Sequence, residues 1–239
     1  MKIGIIGPGK LGKSLFKLLS ACGHQVRLYG RGGTPDEPVV LLTVPDRELG
    51  AVAATIAPGR ILLHCSGASD IDILRPHRPA GSFHPLMTFP GVEIGLPDLK
   101  DVPVAIAGDE SAQDIAEALA KDLEMRSFRV PGSRSLYHAA AVMAGNFSTA
   151  LLASGAQMLT AAGVPAKEAP ALLLPLAIAS LNNAQTDPAN CLTGPAARDD
   201  QSTIDEHRAA LQEANLEHLL ESYDVMTTLV KRLKTRSNF

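Results

Sequence analysis

The first thirteen residues, MKIGIIGPGKLGK (Met1 to Lys13), decide how the rest of the chain reads. The apolar run Ile3 to Ile6 passes directly into Gly7, Gly9 and Gly12, and then into a helical pattern carrying Leu15, Leu18 and Leu19. A strand, a glycine turn and an amphipathic helix in that order give each glycine its own role, respectively a tight turn, close backbone approach to a pyrophosphate, and close contact of helix with strand. The first-turn amides of such a helix point outward, and its dipole favours an anion there. Gly7, Pro8, Gly9, Lys10, Leu11 and Gly12 are therefore the candidate phosphate cradle of a dinucleotide, the alternative being a tight strand-to-helix turn without a ligand.

Composition narrows the class. With 239 residues the chain can build one large domain or two ordinary ones without help from a metal or disulfide. It is 46% apolar and 20% charged with a formal net charge of −3, a globular balance with no nucleic-acid footprint. No uninterrupted apolar run approaches the roughly 18 residues of a membrane span, and Met1 leads straight into a strand with no signal peptide. The expectation is a cytoplasmic protein with no membrane partner. Cys22, Cys65 and Cys191 are widely spaced and form neither a CxxC pair nor a cluster with histidine, which predicts no metal site and no disulfide framework.

The first helix should run from Lys10 to Cys22 and stop at Gly23. Gln25 to Tyr29 reads as a second strand ending in Gly30-Arg31-Gly32-Gly33. In folds that bind NAD, an acidic residue about 20 residues past the glycines bonds the adenosine ribose 2′-hydroxyl. This strand end holds Arg31 and no acid, and a guanidinium fork suits a 2′-phosphate, so NADP is favoured over NAD; a solvated loop arginine is the alternative. Pro38 to Val44, Arg60 to His64, Gly81 to Phe83 and Val102 to Ala107 read as further strands, with an edge strand over Met125 to Val130 and helices over Arg47 to Ile56 and Ser111 to Leu123. Ligands in open α/β sheets lie beyond the carboxyl ends of the strands, where this chain places Val44-Pro45, His64-Cys65-Ser66-Gly67 and His84-Pro85. Val44 and Pro45 are candidate walls for a nicotinamide.

After Pro131-Gly132-Ser133 no strand signal returns. Ser135 to about Ala162 suits a long buried helix, and a second helix with Leu172, Leu173, Leu176 and Ile178 should break or kink near Pro170 and Pro175. Helices over Ser202 to Ala214 and Leu216 to Lys234 finish the chain. The expected fold is a Rossmann-type α/β parallel-sheet domain over residues 1–130 followed by an all-α domain over 131–239.

This layout resembles the 6-phosphogluconate dehydrogenase-like superfamily, which includes 3-hydroxyisobutyrate dehydrogenases, ketopantoate reductases and pyrroline-5-carboxylate reductases. Gly81-Ser82-Phe83-His84-Pro85-Leu86, Tyr137-His138-Ala139-Ala140-Ala141, Asn146 and Leu192-Thr193-Gly194-Pro195 resemble, more narrowly, a bacterial set of Rossmann-like proteins whose C-terminal helical domain has no assigned function. The resemblance implies that Gly7, Gly9, Gly12 and Arg31 bind NADP, and that the helical domain closes the active site and builds a homodimer. It also exposes a departure. The hydroxyacid dehydrogenases of the superfamily carry a catalytic lysine one turn before an asparagine on the first long helix. If Asn146 is that asparagine, the lysine position is Val142; if Asn146 replaces the lysine, the partner position is Ala150. The helix contains no lysine.

Hydride reduction of a ketone leaves an alkoxide that needs an acid, and histidine is the natural substitute for a missing lysine because its ordinary pKa lies near working pH. His84 and His138 are the candidates, with Ser66 and Asn146 placed to hydrogen-bond a substrate carbonyl or carboxylate; His64 reads as a strand-end histidine. An iminium carbon is already cationic and accepts hydride without a strong acid, so imine reduction stays open. Arg198 could clamp a carboxylate or phosphate, or pair with Asp199, Asp200 or Glu206, Asp199 and Asp200 reading as loop and N-cap residues. The expected function is an NADP-dependent oxidoreductase acting on a small polar carbonyl, hydroxyl or imine compound between the two domains. The alternative is an NADP-binding sensor or dimeric interaction protein without turnover. A third reading puts deazaflavin F420 or S-adenosylmethionine in the glycine turn, against which Arg31 argues because neither offers a 2′-phosphate.

Overall fold

In the computed structural model, which describes residues 1–235, the opening apolar run forms strand β1 (Lys2–Ile6), and the glycine turn leads into helix α1 (Lys10–Ala21). Strands β2 (Gln25–Tyr29) and β3 (Val39–Leu42) follow, then a 3-10 turn and the short helix α2 (Leu49–Ala53). Strands β4 (Ile61–His64), β5 (Ala80–Pro85) and β6 (Pro103–Gly108), helix α3 (Glu110–Asp122) and edge strand β7 (Arg126–Phe128) complete one seven-stranded sheet, in the order β2-β1-β3-β4-β5-β6-β7.

All neighbouring strands are parallel except β5 and β6. A parallel return needs a crossover, usually a helix. Residues 86–102 form no helix, so the chain re-enters the sheet from the edge at which β5 left it, and the expected parallel sheet contains one antiparallel pair.

The β3 run Val39-Val40-Leu41-Leu42 is apolar at every position because both faces are covered. Val39 and Leu41 join one cluster with Ile3, Leu15, Leu19, Phe83 and Leu119; Val40 and Leu42 join another with Leu49, Leu62 and Leu74. These two layers hold the strand tips, and whatever they carry, in fixed register.

After β7 the described chain is helical. Helix α4 (Arg134–Val142), a π turn (Met143–Phe147) and helix α5 (Ser148–Ala161) make one continuous run, followed by α6 (Ala169–Ala184), α7 (Gln201–Glu213) and α8 (Leu220–Thr235). The compact units divide between Gly145 and Asn146, so α4 belongs with the sheet. In the second unit α5 packs on α6, with Gly155 admitting Leu173, and Lys231 pairs with Asp199.

Two expectations need correction. The long helix is not buried: only Arg134 and Ala156 of the run 134–161 are, because small alanine-rich faces meet few partners within one chain. Pro175 does not end its helix, since α6 continues through it to Ala184, and Pro170 sits in the first turn, where no amide donor is needed. Moreover, although no purely apolar stretch is long enough, the 28-residue run Arg134–Ala161, with mean hydropathy 1.2 over its best window, is long and apolar enough to cross a membrane by length and composition.

Candidate active site

The carboxyl ends of β1, β3, β4 and β5 form one edge of the sheet, and two groups of candidate residues meet it there. From β1 the sheet grows to β2 on one side and to β3 on the other, the switch point where such sheets open a crevice. A cavity of about 780 Å³ lies at that point, lined by Gly7, Pro8, Gly9, Arg31, Val44 and Pro45 among others.

The glycines differ in what surrounds them. Gly7 has φ +113°, and a Cβ there would stand 2.8 Å from the Thr43 backbone; at Gly12 it would lie 2.0 Å from the Gly7 carbonyl oxygen. At Gly9 a Cβ would meet nothing within 4 Å, so the space beside it is open. Gly9 is also the N-cap of α1, with no side chain capping the helix and no acid in its first turn, which comprises Lys10, Leu11 and Gly12. Uncapped amides, an open backbone face and Lys10 suit a pyrophosphate. The Thr43 hydroxyl lies 3.0 and 2.8 Å from the Ile6 and Gly7 carbonyls and stitches the glycine turn to β3.

Arg31 is exposed, and its Nη2 stands 4.0 Å from Glu48 Oε1. The strand end carries no acid, but the fold brings one into the same cavity from 17 positions further along, before α2. At this distance and exposure the pair is weak, and the guanidinium is free to turn to an anion.

The second group surrounds the ends of β4 and β5. His84 Nδ1 shares a 2.6 Å hydrogen bond with the hydroxyl of Tyr137, which α4 supplies. The His84 and His138 rings meet edge-on with centroids 6.2 Å apart. Both press on Gly67, where a Cβ would stand 2.6 Å from His138 Cδ2 and 2.9 Å from His84 Nε2, so only glycine lets the two rings close over this loop. Arg134, capped into α4 by Ser133, is 8% exposed; its Nη2 donates to the Ser66 carbonyl at 2.8 Å, and its Cζ lies 5.4 Å from the Tyr137 ring centroid.

This packing sets protonation. Burial and then the Arg134 charge push the imidazoles of His64 and His84 down to about 4; His138 adds to the effect at His84, and Asp46 opposes it at both. Burial raises the Tyr137 phenol against the opposing Arg134 charge. Both histidines are thus neutral at pH 7, and the near-neutral pKa that would make His84 an imidazolium acid is displaced by its surroundings. The His84–Tyr137 pair still offers exchangeable protons and hydrogen-bond donors to a ligand. His64 Nδ1 accepts from the Ser66 amide at 3.2 Å, which assigns its proton to Nε2.

Of the residues singled out from sequence, the fold joins His84, His138 and Ser66. The Ser66 hydroxyl is engaged: it accepts from the Ala68 and Ser69 amides and donates to Ser69 Oγ, shaping the loop. Asn146 lies in the second unit, exposed on the π turn. Asp200 caps α7 by accepting from the Thr203 amide at 3.2 Å and feels the Arg198 charge, and Asp199 pairs with Lys231. Sequence reading does not single out Tyr137 or Arg134 as site residues, yet the fold sets both against His84 and Ser66. An arginine immediately after a break and an N-cap serine, one turn before the Tyr137-His138 pair, was the available signal.

The family model described as "Domain of unknown function (DUF2520)" matches residues 102–230, more than half of the chain. Among curated proteins no match was found. Solved structures resemble it over nearly full length. A Bacteroides fragilis protein provisionally described as an NADP oxidoreductase is 21% identical, with 97% of this chain and 98% of that one covered and a TM-score of 0.80. A reductive aminase from Aspergillus terreus, in complex with NADPH and ethyl levulinate, is 16% identical (97% and 93% covered, TM-score 0.70). A 1-pyrroline-5-carboxylate reductase from Streptococcus pyogenes is 15% identical (99% of each chain covered, TM-score 0.61). At these identities the likeness establishes the shared Rossmann-type fold. The family match goes further: this chain belongs to the DUF2520 family.

Proposed function

We propose that the protein is an NADP-dependent oxidoreductase that transfers hydride to or from a small polar carbonyl, hydroxyl or imine compound, with an imine as the favoured electrophile. One observation carries the reading: the glycine cradle and the neutral His84–Tyr137 pair occupy the same edge of one sheet. From β1, whose end carries the glycine cradle, to β5 is three strand spacings, roughly 14 Å, within the span of an extended dinucleotide. The reductive aminase and pyrroline-5-carboxylate reductase of the same fold act on carbon–nitrogen chemistry of this kind, which supports the choice.

The nicotinamide, when bound, exchanges the hydride. The chain's own part is binding and orientation. Gly7, Gly9, Lys10 and the first-turn amides of α1 hold the pyrophosphate, Arg31 meets the 2′-phosphate, and Val44 and Pro45 wall the ring. An iminium carbon needs no proton from the protein at the moment of reduction, which suits a site with no lysine and with His84 neutral. Toward a carbonyl, the pair has one proton free to donate to the oxygen, the Tyr137 O–H when His84 Nδ1 carries its hydrogen or the His84 Nε2–H when Tyr137 donates to Nδ1.

We also propose that the second unit pairs with a second copy, in the cytoplasm. Leu172, Leu174, Leu176, Ile178 and Leu181 are each at least 45% exposed, so α6 keeps apolar faces that its packing on α5 does not cover. Lipid is the poorer partner for the neighbouring apolar run, because its first turn is tied into the sheet unit through Arg134 and Tyr137.

The test is titration of the protein and its Arg31→Ala variant with NADPH and NADH, followed by turnover of NADPH with cyclic imines, and with ketones plus amines. NADPH should bind and lose about tenfold or more in the variant, with NADH little changed. Binding without turnover of any imine or carbonyl would favour the sensor, and no binding of either nucleotide would overturn the proposal.

A further inference from the structure

Arg134 is a buried cation without a counter-ion. It is 8% exposed, no carboxylate lies within ion-pair distance of it among the described residues, and its only hydrogen bond there runs from Nη2 to the Ser66 carbonyl. Its other terminal nitrogen, Nη1, is buried and has no partner. The charges that face it do not compensate: Asp70 and the Tyr137 phenol favour the cation, but burial outweighs them, and nearby stand His64 and His84, held neutral first by burial and then by the same guanidinium. An isolated buried guanidinium is costly to a folded chain, and a ligand that brings a negative charge removes that penalty.

We propose that Arg134 is the receptor for the carboxylate of an acidic substrate, so that the compound turned over is a small oxo acid or imino acid. The inference rests on the oxidoreductase reading and narrows its substrate. The anionic groups of the dinucleotide have partners elsewhere, the pyrophosphate at the α1 cradle and the 2′-phosphate at Arg31, which leaves Arg134 for a different anion. With Nη2 held by Ser66, the free Nη1 offers a charge-assisted hydrogen bond to a carboxylate oxygen. Tyr137 lies over the guanidinium and bonds His84, so a carboxylate on Nη1 brings the adjoining C=O or C=N group beside the His84–Tyr137 pair. Because Nη1 is covered in the ligand-free chain, entry displaces what the guanidinium touches, the Tyr137 ring or the 66–70 loop.

The experiment titrates oxamate, a small carboxylate that is not reduced, and its neutral ethyl ester into wild type, Arg134→Gln and Arg134→Lys by calorimetry, each with and without NADP. NADPH affinity is measured separately on all three. Wild type should bind oxamate about tenfold or more tighter than the ester; Arg134→Gln should abolish that preference, and Arg134→Lys should restore part of it. NADPH affinity should be the same in all three. Oxamate binding that ignores the substitution, an ester that binds as well as the acid, or no oxamate binding in either state would overturn the proposal. So would parallel loss of NADPH and oxamate, which would hand the guanidinium to a cofactor phosphate. Inorganic phosphate competing as well as oxamate would overturn the carboxylate in favour of a phosphorylated substrate. Failure of the oxidoreductase reading is separately visible, as wild type that binds oxamate without cofactor but no NADPH. Folding of the glutamine variant is expected to survive, since it removes an uncompensated charge, and the His84 imidazole should then titrate higher by NMR.

Discussion

His64 and His84 each stand at a strand end, and both are held near pKa 4, first by burial and then by the Arg134 charge. Unfolded, they titrate near 6.5. Between these values the unfolded chain binds more protons than the folded one, so stability rises with pH across this window; it is complete above 6.5 and lost as pH falls toward 4. Near pH 5 the slope should reach at most about 1.4 kcal/mol per pH unit for each histidine. Urea unfolding of wild type against His84→Gln across this range measures it. The variant should show a slope shallower by up to that amount, and identical slopes would mean that His84 is not buried neutral. The same environment recasts the chemistry: a neutral imidazole bonded to a phenol orients and donates hydrogen bonds, whereas an exposed histidine would act as a cationic acid.

At the scale of an element, the first turn of α1 separates two kinds of glycine. A methyl group on Gly12 would stand 2.0 Å from the Gly7 carbonyl oxygen, and relief requires the helix to lift off its strand. Gly12→Ala should destabilise the protein by about 3 kcal/mol or more in urea unfolding. Gly9 has open space where its Cβ would go, so Gly9→Ala should cost no more than about 1 kcal/mol as a weakened N-cap, yet lower NADPH affinity about tenfold because the methyl occupies the phosphate's approach. Equal effects on folding, or unaltered NADPH binding in Gly9→Ala, would show that the open face is not the phosphate face. Helix α4 plays a different part. Grouped with the sheet unit rather than with the helices after it, it delivers Arg134, Tyr137 and His138 from one and a half turns to the tips of β4 and β5.

For the whole molecule, the exposed leucines of α6 decide the expected assembly. Leu172 and Leu176 share one stripe, while Leu174, Ile178 and Leu181 share another. No single-chain packing covers either, so light scattering should give twice the 25.1 kDa chain mass. Leu172→Glu combined with Leu176→Glu should return the monomer with far-ultraviolet dichroism retained. A wild-type monomer at micromolar concentration would remove the dimer proposal.

The alternation of short apolar strands with helices over the first 128 residues is local information, carried by period and by glycine and proline punctuation, and the sequence by itself determined that order, the glycine turn and the absence of strands after Phe128 among the described residues. The sense of β6 was not local: it follows from the lack of a crossover helix in 86–102, a stretch whose course depends on the sheet it rejoins. Nor was the chemistry at the β4 and β5 tips. His84 meets Tyr137 across 53 positions, and Ser66 meets Arg134 across 68, contacts no periodicity encodes. Residue types named the candidates His84, His138 and Ser66, but only the tertiary structure decided that the Ser66 hydroxyl is engaged within its own loop, that His84 is neutral, and that an arginine lies beneath the tyrosine without a counter-ion. Burial and proximity fix those properties, and both arise when distant segments pack, because the cost of desolvating a charge depends on what surrounds it in space.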